Sequence, residues 1–212
     1  MMRTLLRPIL FLFAVAGTIE AFSQKLPEYL LPYSDSSSGT ELLGFRSPAG
    51  KNTIPARYTA TTTDTMFRIA FVLNTDEWVV INRMDTVILT PFIYDNGPDY
   101  VQEGYFRFVE NDKMGFADLR GDKIIKAEFE WVEPFRGGLA AFNTDGHFEE
   151  SGEHRIRKGG TWGFIDRRGR KVIPAKYTQV YEFRGKYCEA WTEDGEHVLL
   201  DKKGKVAQTL KK

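Results

Sequence analysis

The sequence predicts an all-β chain of tandem repeats, each about 35 residues long and built from hairpins. The repeats form either an open, solenoid-like array or a propeller-like ring. Three observations carry this expectation. A spaced pattern of aromatic, glycine and turn residues recurs along the chain. The apolar runs are short, β-rich and bounded by turn signals, as in "WGFID", "KVIPAKY" and "LAAFN". No segment sustains a 3.6-residue apolar period. With 212 residues and 42% apolar side chains the chain can bury a sizeable core, and disorder throughout is excluded.

Residues 1–23 read as a signal peptide. Arg3 and Arg7 precede an apolar run from Ile9 to Ile19, and Ala21 and Ser23 supply the small residues before a cut ahead of Gln24. The run falls short of the roughly 18 residues a membrane span needs, so no stable span is expected after cleavage. The expected location is periplasmic or secreted. Losing Arg3, Arg7 and Glu20 leaves a near-neutral mature chain, and nothing in its charge points to nucleic acid. Residues 24–41, with "SDSSSG" at Ser34–Gly39, read as a flexible N-terminal segment.

The repeat domain spans 42–210, with units starting near 44, 79, 115, 163 and 198. Gly44-Phe45 precedes Gly50, Gly115-Phe116 precedes Gly121, and Gly163-Phe164 precedes Gly169, at one constant spacing. Val79-Val80 with Asp85 and Val198-Leu199 with Gly204 are weaker copies. The position before each start is bulky: Leu43, Trp78, Met114, Trp162 and His197. Ser47, Asn82, Asp118, Asp166 and Asp201 precede the turn residue by three places, which suits a type I turn closed by a left-handed residue. The glycine after the bulky residue predicts close backbone approach or a bulge. Ile54-Pro55 with Tyr58 and Ile173-Pro174 with Tyr177 make up the second half of the unit, and proline there predicts a strand end or edge. The long spacing from 115 to 163 implies a polar, glycine-rich insertion at 144–160. Cys188, the sole cysteine, aligns with Ala140 and so reads as a small core residue rather than a nucleophile.

Trp-Gly-Phe-Ile-Asp, a turn glycine, Val-Ile-Pro, tyrosine and a later Gly-Leu-Ala resemble the bacterial WG-repeat family. The resemblance covers Leu42 to about Leu210 and is strongest at Trp162–Tyr177 and Met114–Phe142. Val79 and Val198 depart from it by replacing the glycine. It implies a β-rich repeat scaffold that serves as an interaction module, and it brings no shared catalytic residues.

The chemistry-bearing residues yield no catalytic set. His147 and His154 lie in the insertion beside Glu149, Glu150 and Glu153, at a spacing that matches no metal signature. That stretch reads as a solvated charged loop, and no metal or cofactor is expected. No G-x-S-x-G elbow or P-loop is present. Carboxylate pairs such as Glu149-Glu150 show nothing of the separation that a glycosidase requires. Of the four tryptophans, Trp78 and Trp162 fall in the bulky column, which leaves Trp131 and Trp191 as candidate binding residues. The functional expectation is an exported, non-catalytic scaffold for a protein partner. The alternative is an envelope polysaccharide binder that uses exposed aromatics, and behind both stands an uncharacterised hydrolase.

Overall fold

The computed structural model describes residues 28–151 and 154–211, so the expected signal peptide and cleavage site lie outside the described residues. The first unit holds β1 (Leu31–Asp35), β2 (Leu42–Arg46) and β3 (Asn52–Tyr58). The second holds β4 (Ala60–Thr61), β5 (Ile69–Asn74), β6 (Glu77–Asn82) and β7 (Val87–Pro91). A small hairpin, β8 (Ile93–Tyr94) and β9 (Gly97–Pro98), leads into the third unit. That unit comprises β10 (Tyr105–Glu110), β11 (Lys113–Asp118) and β12 (Lys123–Phe129). The fourth comprises β13 (Trp131–Val132), β14 (Leu139–Ser151), β15 (His154–Asp166) and β16 (Lys171–Tyr177). The fifth comprises β17 (Gln179–Val180), β18 (Tyr187–Trp191), β19 (His197–Asp201) and β20 (Val206–Lys211). Each unit is an antiparallel meander, and β7 and β10 join the second and third into one seven-stranded sheet. No helix occurs among the described residues.

The repeated sequence positions have one local geometry. Gly50, Gly121, Gly169 and Gly204 all have positive φ, and Asp85 adopts the same left-handed state at 60°. Each donates its N–H to the carbonyl three residues back, at 2.8–3.1 Å. The side-chain oxygens of Asn82, Asp118, Asp166 and Asp201 each accept two backbone N–H groups of their own turn. The signature glycine has a different cause. A Cβ on Gly163 would stand 2.5 Å from the Ile173 carbonyl oxygen and 2.7 Å from the Ala175 nitrogen. Gly44 and Gly115 meet their third strands in the same way. At these places the last strand of the unit bulges over the one before it: β15 advances from Phe164 to Trp162 while β16 runs from Ile173 to Tyr177. Pro174 sits within that bulge. In the second unit β7 leaves β6 to pair with β10, and in the fifth Val198 pairs directly with Thr209. Neither register contains the four-residue arch of the other units, and valine stands where they have glycine.

The sheets stack face to face, and four cores fill the gaps between consecutive units. Phe45, Phe116 and Phe164 each face the following unit. The opposite strand parity faces the preceding one, as Ile165 and Ala140 do toward the third unit. Inner sheets are therefore apolar on both faces. No core cluster joins the first unit to the last among the described residues, so the stack is open.

Two expectations are corrected. The segment 24–41 is not flexible throughout: β1 pairs with β2 along its length, and Leu30 is fully buried against the second unit. "SDSSSG" supplies the end of β1 and a turn at Gly39, with Asp35 accepting the Ser37 N–H. The 144–160 insertion is not a loop but an extension of the β14–β15 hairpin, paired from Gly146↔Gly159 to Ser151↔His154. A Cβ at Gly146 would run into the Asn143 side chain and one at Gly160 into the Thr144 carbonyl, while Gly159 and Gly160 both have positive φ.

Candidate functional site

Two features stand out from the stack. The first is the β8–β9 hairpin, which the other units lack. Ile93, Tyr94, Tyr100 and Val101 are all exposed along it, Tyr94 to 61% and Tyr100 to 75%. Its tip is a tight turn in which Asp95 and Asn96 both have positive φ. The Asn96 carbonyl accepts the Trp78 indole N–H at 3.1 Å. Its base is fixed by Arg107, which is 3% exposed. Arg107 Nε donates to Asp99 at 2.6 Å and Nη1 donates to the Val132 carbonyl at 2.8 Å. The guanidinium lies 4.4 Å from the Phe92 ring centroid and 5.7 Å from that of Trp131. A buried charge of this kind is tolerated only because it is paired and hydrogen-bonded. The Arg107–Asp99 pair thus ties the hairpin to the third and fourth units.

The second feature is a cavity of about 550 Å³ between the fourth and fifth units. Ala141 and Phe164 form its floor, Trp162 and Tyr181 its aromatic walls, and Arg136 and Arg184 its rim. Glu182 pairs with both arginines, at 3.3 and 3.4 Å.

The expected binding residues do not converge. Trp131 donates its indole N–H to Glu133 at 2.7 Å and meets Phe92 and Phe148 edge-on at 5.3 and 5.2 Å. Trp191 stacks on His197 at 4.1 Å, with the Tyr181 ring edge against it. Neither lines the cavity; each supports a residue that does, Glu133 or Tyr181. Trp162, expected to pack in the core, is half-buried and forms a cavity wall. His197 packs on Trp191 and pairs with Glu189 at 2.8 Å. His147 is exposed and bonds Glu149 at 3.0 Å, while the side chain of His154 lies outside the description. Among the described residues no three of His, Cys, Asp and Glu gather as a metal-binding group. Cys188 is buried among Tyr177, Ala190 and Leu200, and burial pushes its thiol up to about 12, far from the thiolate a nucleophile needs.

Arg107 escaped the sequence reading, although its signal was present. It is the one charged residue at the inward positions of "YFRFVE", and its column holds Phe71 and Ala141 in neighbouring units. A second column was equally visible. The residue after each turn Asp or Asn is Arg83, Leu119, Arg167 or Lys202. Arg167 reaches back to Glu103 at 2.8 Å, and Lys202 to the Gly137 carbonyl at 2.7 Å. Arg83 donates to the carbonyls of Glu28 and Phe67. Basic turn residues here latch one unit to its predecessor.

Residues 114–146 and 162–190 match the family described as WG containing repeat; the first match runs from β11 of the third unit into β14 of the fourth, and the second from β15 of the fourth into β18 of the fifth. No curated protein matches the chain.

Proposed function

From a chain that carries WG containing repeats, we propose an exported, non-catalytic scaffold whose exposed β8–β9 hairpin docks a partner protein. The hairpin carries this reading. Four large apolar or aromatic side chains face solvent between 93 and 101, on a base pinned by Arg107 and Asp99. Tyrosines held on a rigid mount contribute contact area without a large ordering cost. Stacked repeats supply such a mount, because each sheet is locked by its neighbours. Trp131 and Trp191 support different units and share no groove, which weakens the polysaccharide alternative.

The test presents residues 24–212 to the exported proteins of the producing organism, with chemical cross-linking, beside the Tyr94→Asp/Tyr100→Asp variant. The reading expects a captured protein that the folded variant loses at least tenfold. A captured set that the variant leaves unchanged refutes it. Pelleting with wall sacculi that vanishes when the polysaccharide is digested would transfer the function to glycan binding.

A further inference from the structure

The cavity between the fourth and fifth units exists because one column is empty there. The residue paired with the second motif position is Phe71 in the second unit, Arg107 in the third and Ala141 in the fourth. Phe71 packs edge-on against Phe106 at 4.9 Å and fills its junction. Arg107 fills the next with its guanidinium. Ala141 ends at Cβ and leaves a cavity beside it, while Phe183 covers the Phe164 ring edge-on at 5.0 Å.

The walls and rim define the occupant. Trp162 and Tyr181 offer aromatic faces beside the aliphatic Leu139 and Val180. At the rim Arg136 and Arg184 share the single carboxylate of Glu182, and all three side chains are 45–87% exposed. Such exposed pairs are weak and readily exchanged. The other rim carboxylate, Glu133, is already engaged by the Trp131 N–H and lies 3.8 Å from Arg107. The rim therefore has one guanidinium in excess over the carboxylates free to answer it.

We propose that this cavity seats an aromatic side chain of an extended peptide segment of a partner protein, with an adjacent carboxylate bound by Arg136 and Arg184. The proposal rests on the protein-docking reading and adds a second, chemically specific contact to it. Aromatic insertion places apolar area where Phe71 and Arg107 place theirs, and the carboxylate takes up the surplus guanidinium charge.

The experiment titrates the 15N-labelled protein with the peptide acetyl-Asp-Glu-Phe-Glu-Asp-amide and follows the amide shifts of Ala141, Trp162 and Tyr181. Saturable shifts at these amides are expected, weakened at least tenfold when the peptide's phenylalanine is replaced by alanine. Ala141→Phe, which restores the side chain of the second unit, should abolish them without loss of folding. Arg136→Glu, a half-exposed rim change that does not depend on core packing, should weaken binding at least tenfold. Unchanged binding in either folded variant overturns the proposal, as does the absence of saturable shifts. Chitotriose shifting these amides in place of the peptide would overturn it in favour of a sugar site. Tyr94→Asp/Tyr100→Asp should leave peptide binding intact, so failure of the hairpin reading and failure of the cavity proposal are read separately.

Discussion

Gly163→Ala is the sharpest test of why these units carry their signature glycine. Gly163 is buried and its φ is not positive, so alanine meets no backbone restriction there. On chain entropy alone the change should stabilise by about 0.4–1 kcal/mol. The surroundings reverse that sign. The new methyl would lie 2.5 Å from the Ile173 oxygen, 2.7 Å from the Ala175 nitrogen and 2.8 Å from Phe142 Cε1. Two of these atoms belong to the backbone of the β16 arch, which cannot rotate aside as a side chain can. Overpacking of this kind costs about 1–3 kcal/mol, so the net loss should be about 1–2 kcal/mol. With a urea slope of about 2 kcal/mol/M, the midpoint should fall by roughly 0.5–1 M. Gly97→Ala is the control: nothing lies within 4 Å of its added methyl and its φ is also not positive. Its midpoint should stay level or rise. A Gly163→Ala midpoint at or above wild type would show that the arch yields freely, and would remove the close approach as the reason for the glycine.

The other predictions concern groups the structure has buried or paired. Cys188 should resist maleimide in the native protein at pH 8 and react fully in denaturant, since burial raises its thiol to about 12; rapid native labelling would contradict its placement. Asp99→Asn leaves the buried Arg107 guanidinium with only the part-exposed Glu133, 3.8 Å away, as counter-charge and should cost about 3 kcal/mol, while Arg107→Met combined with Asp99→Asn should recover much of that loss in a urea double-mutant cycle. Burial alone would raise the Glu103 carboxyl, but Arg167 and the Gly138 N–H hold it below its ordinary value. A depressed folded value means that its contribution is present above the unfolded value of about 4.3 and is lost as pH falls through the folded one. Glu103→Gln should therefore be less stable than wild type at pH 7, with the difference shrinking below about pH 4; a constant difference would count against the latch.

The repeat was legible because local demands impose the same residues each time. A left-handed turn requires glycine or aspartate, and an arch over a strand requires glycine beneath it, so both left spaced marks. The inter-unit cores were legible for a similar reason, since Cys188 and Ala140 occupy one packed column. The unit phase was less so. The motif starts at 44, 79, 115, 163 and 198 fall within the inner strands β2, β6, β11, β15 and β19, because the turn that marks them lies in mid-sheet rather than between sheets. Both features proposed as sites depended on differences between units. A search for agreement among columns makes Arg107, Ala141 and the extra β8–β9 hairpin read as noise. Trp131 and Trp191 were singled out because they lay outside the bulky column, yet lying outside it left them supporting its neighbours instead.

The same comparison of columns sets the outer face of the fifth unit apart from that of the fourth. Phe164 faces the fifth unit across Ala141 and Ile173; its counterpart Leu199 is flanked by Glu189 and Gln208 in the same registers. Leu139 is replaced by the exposed Tyr187. Glu189 is held out by His197, itself stacked on Trp191. A sixth sheet laid on this face would have to desolvate that carboxylate, at a cost that a Leu199 contact would not offset. The outer face of the fifth unit thus has the polar character of a capping repeat. Glu189→Ala with Gln208→Ile would restore the face of the fourth unit. In sedimentation velocity that variant should form larger species than wild type as concentration rises, through end-to-end contact of exposed faces. A variant that sediments like wild type across the same range would mean that this face resists stacking by shape rather than by charge.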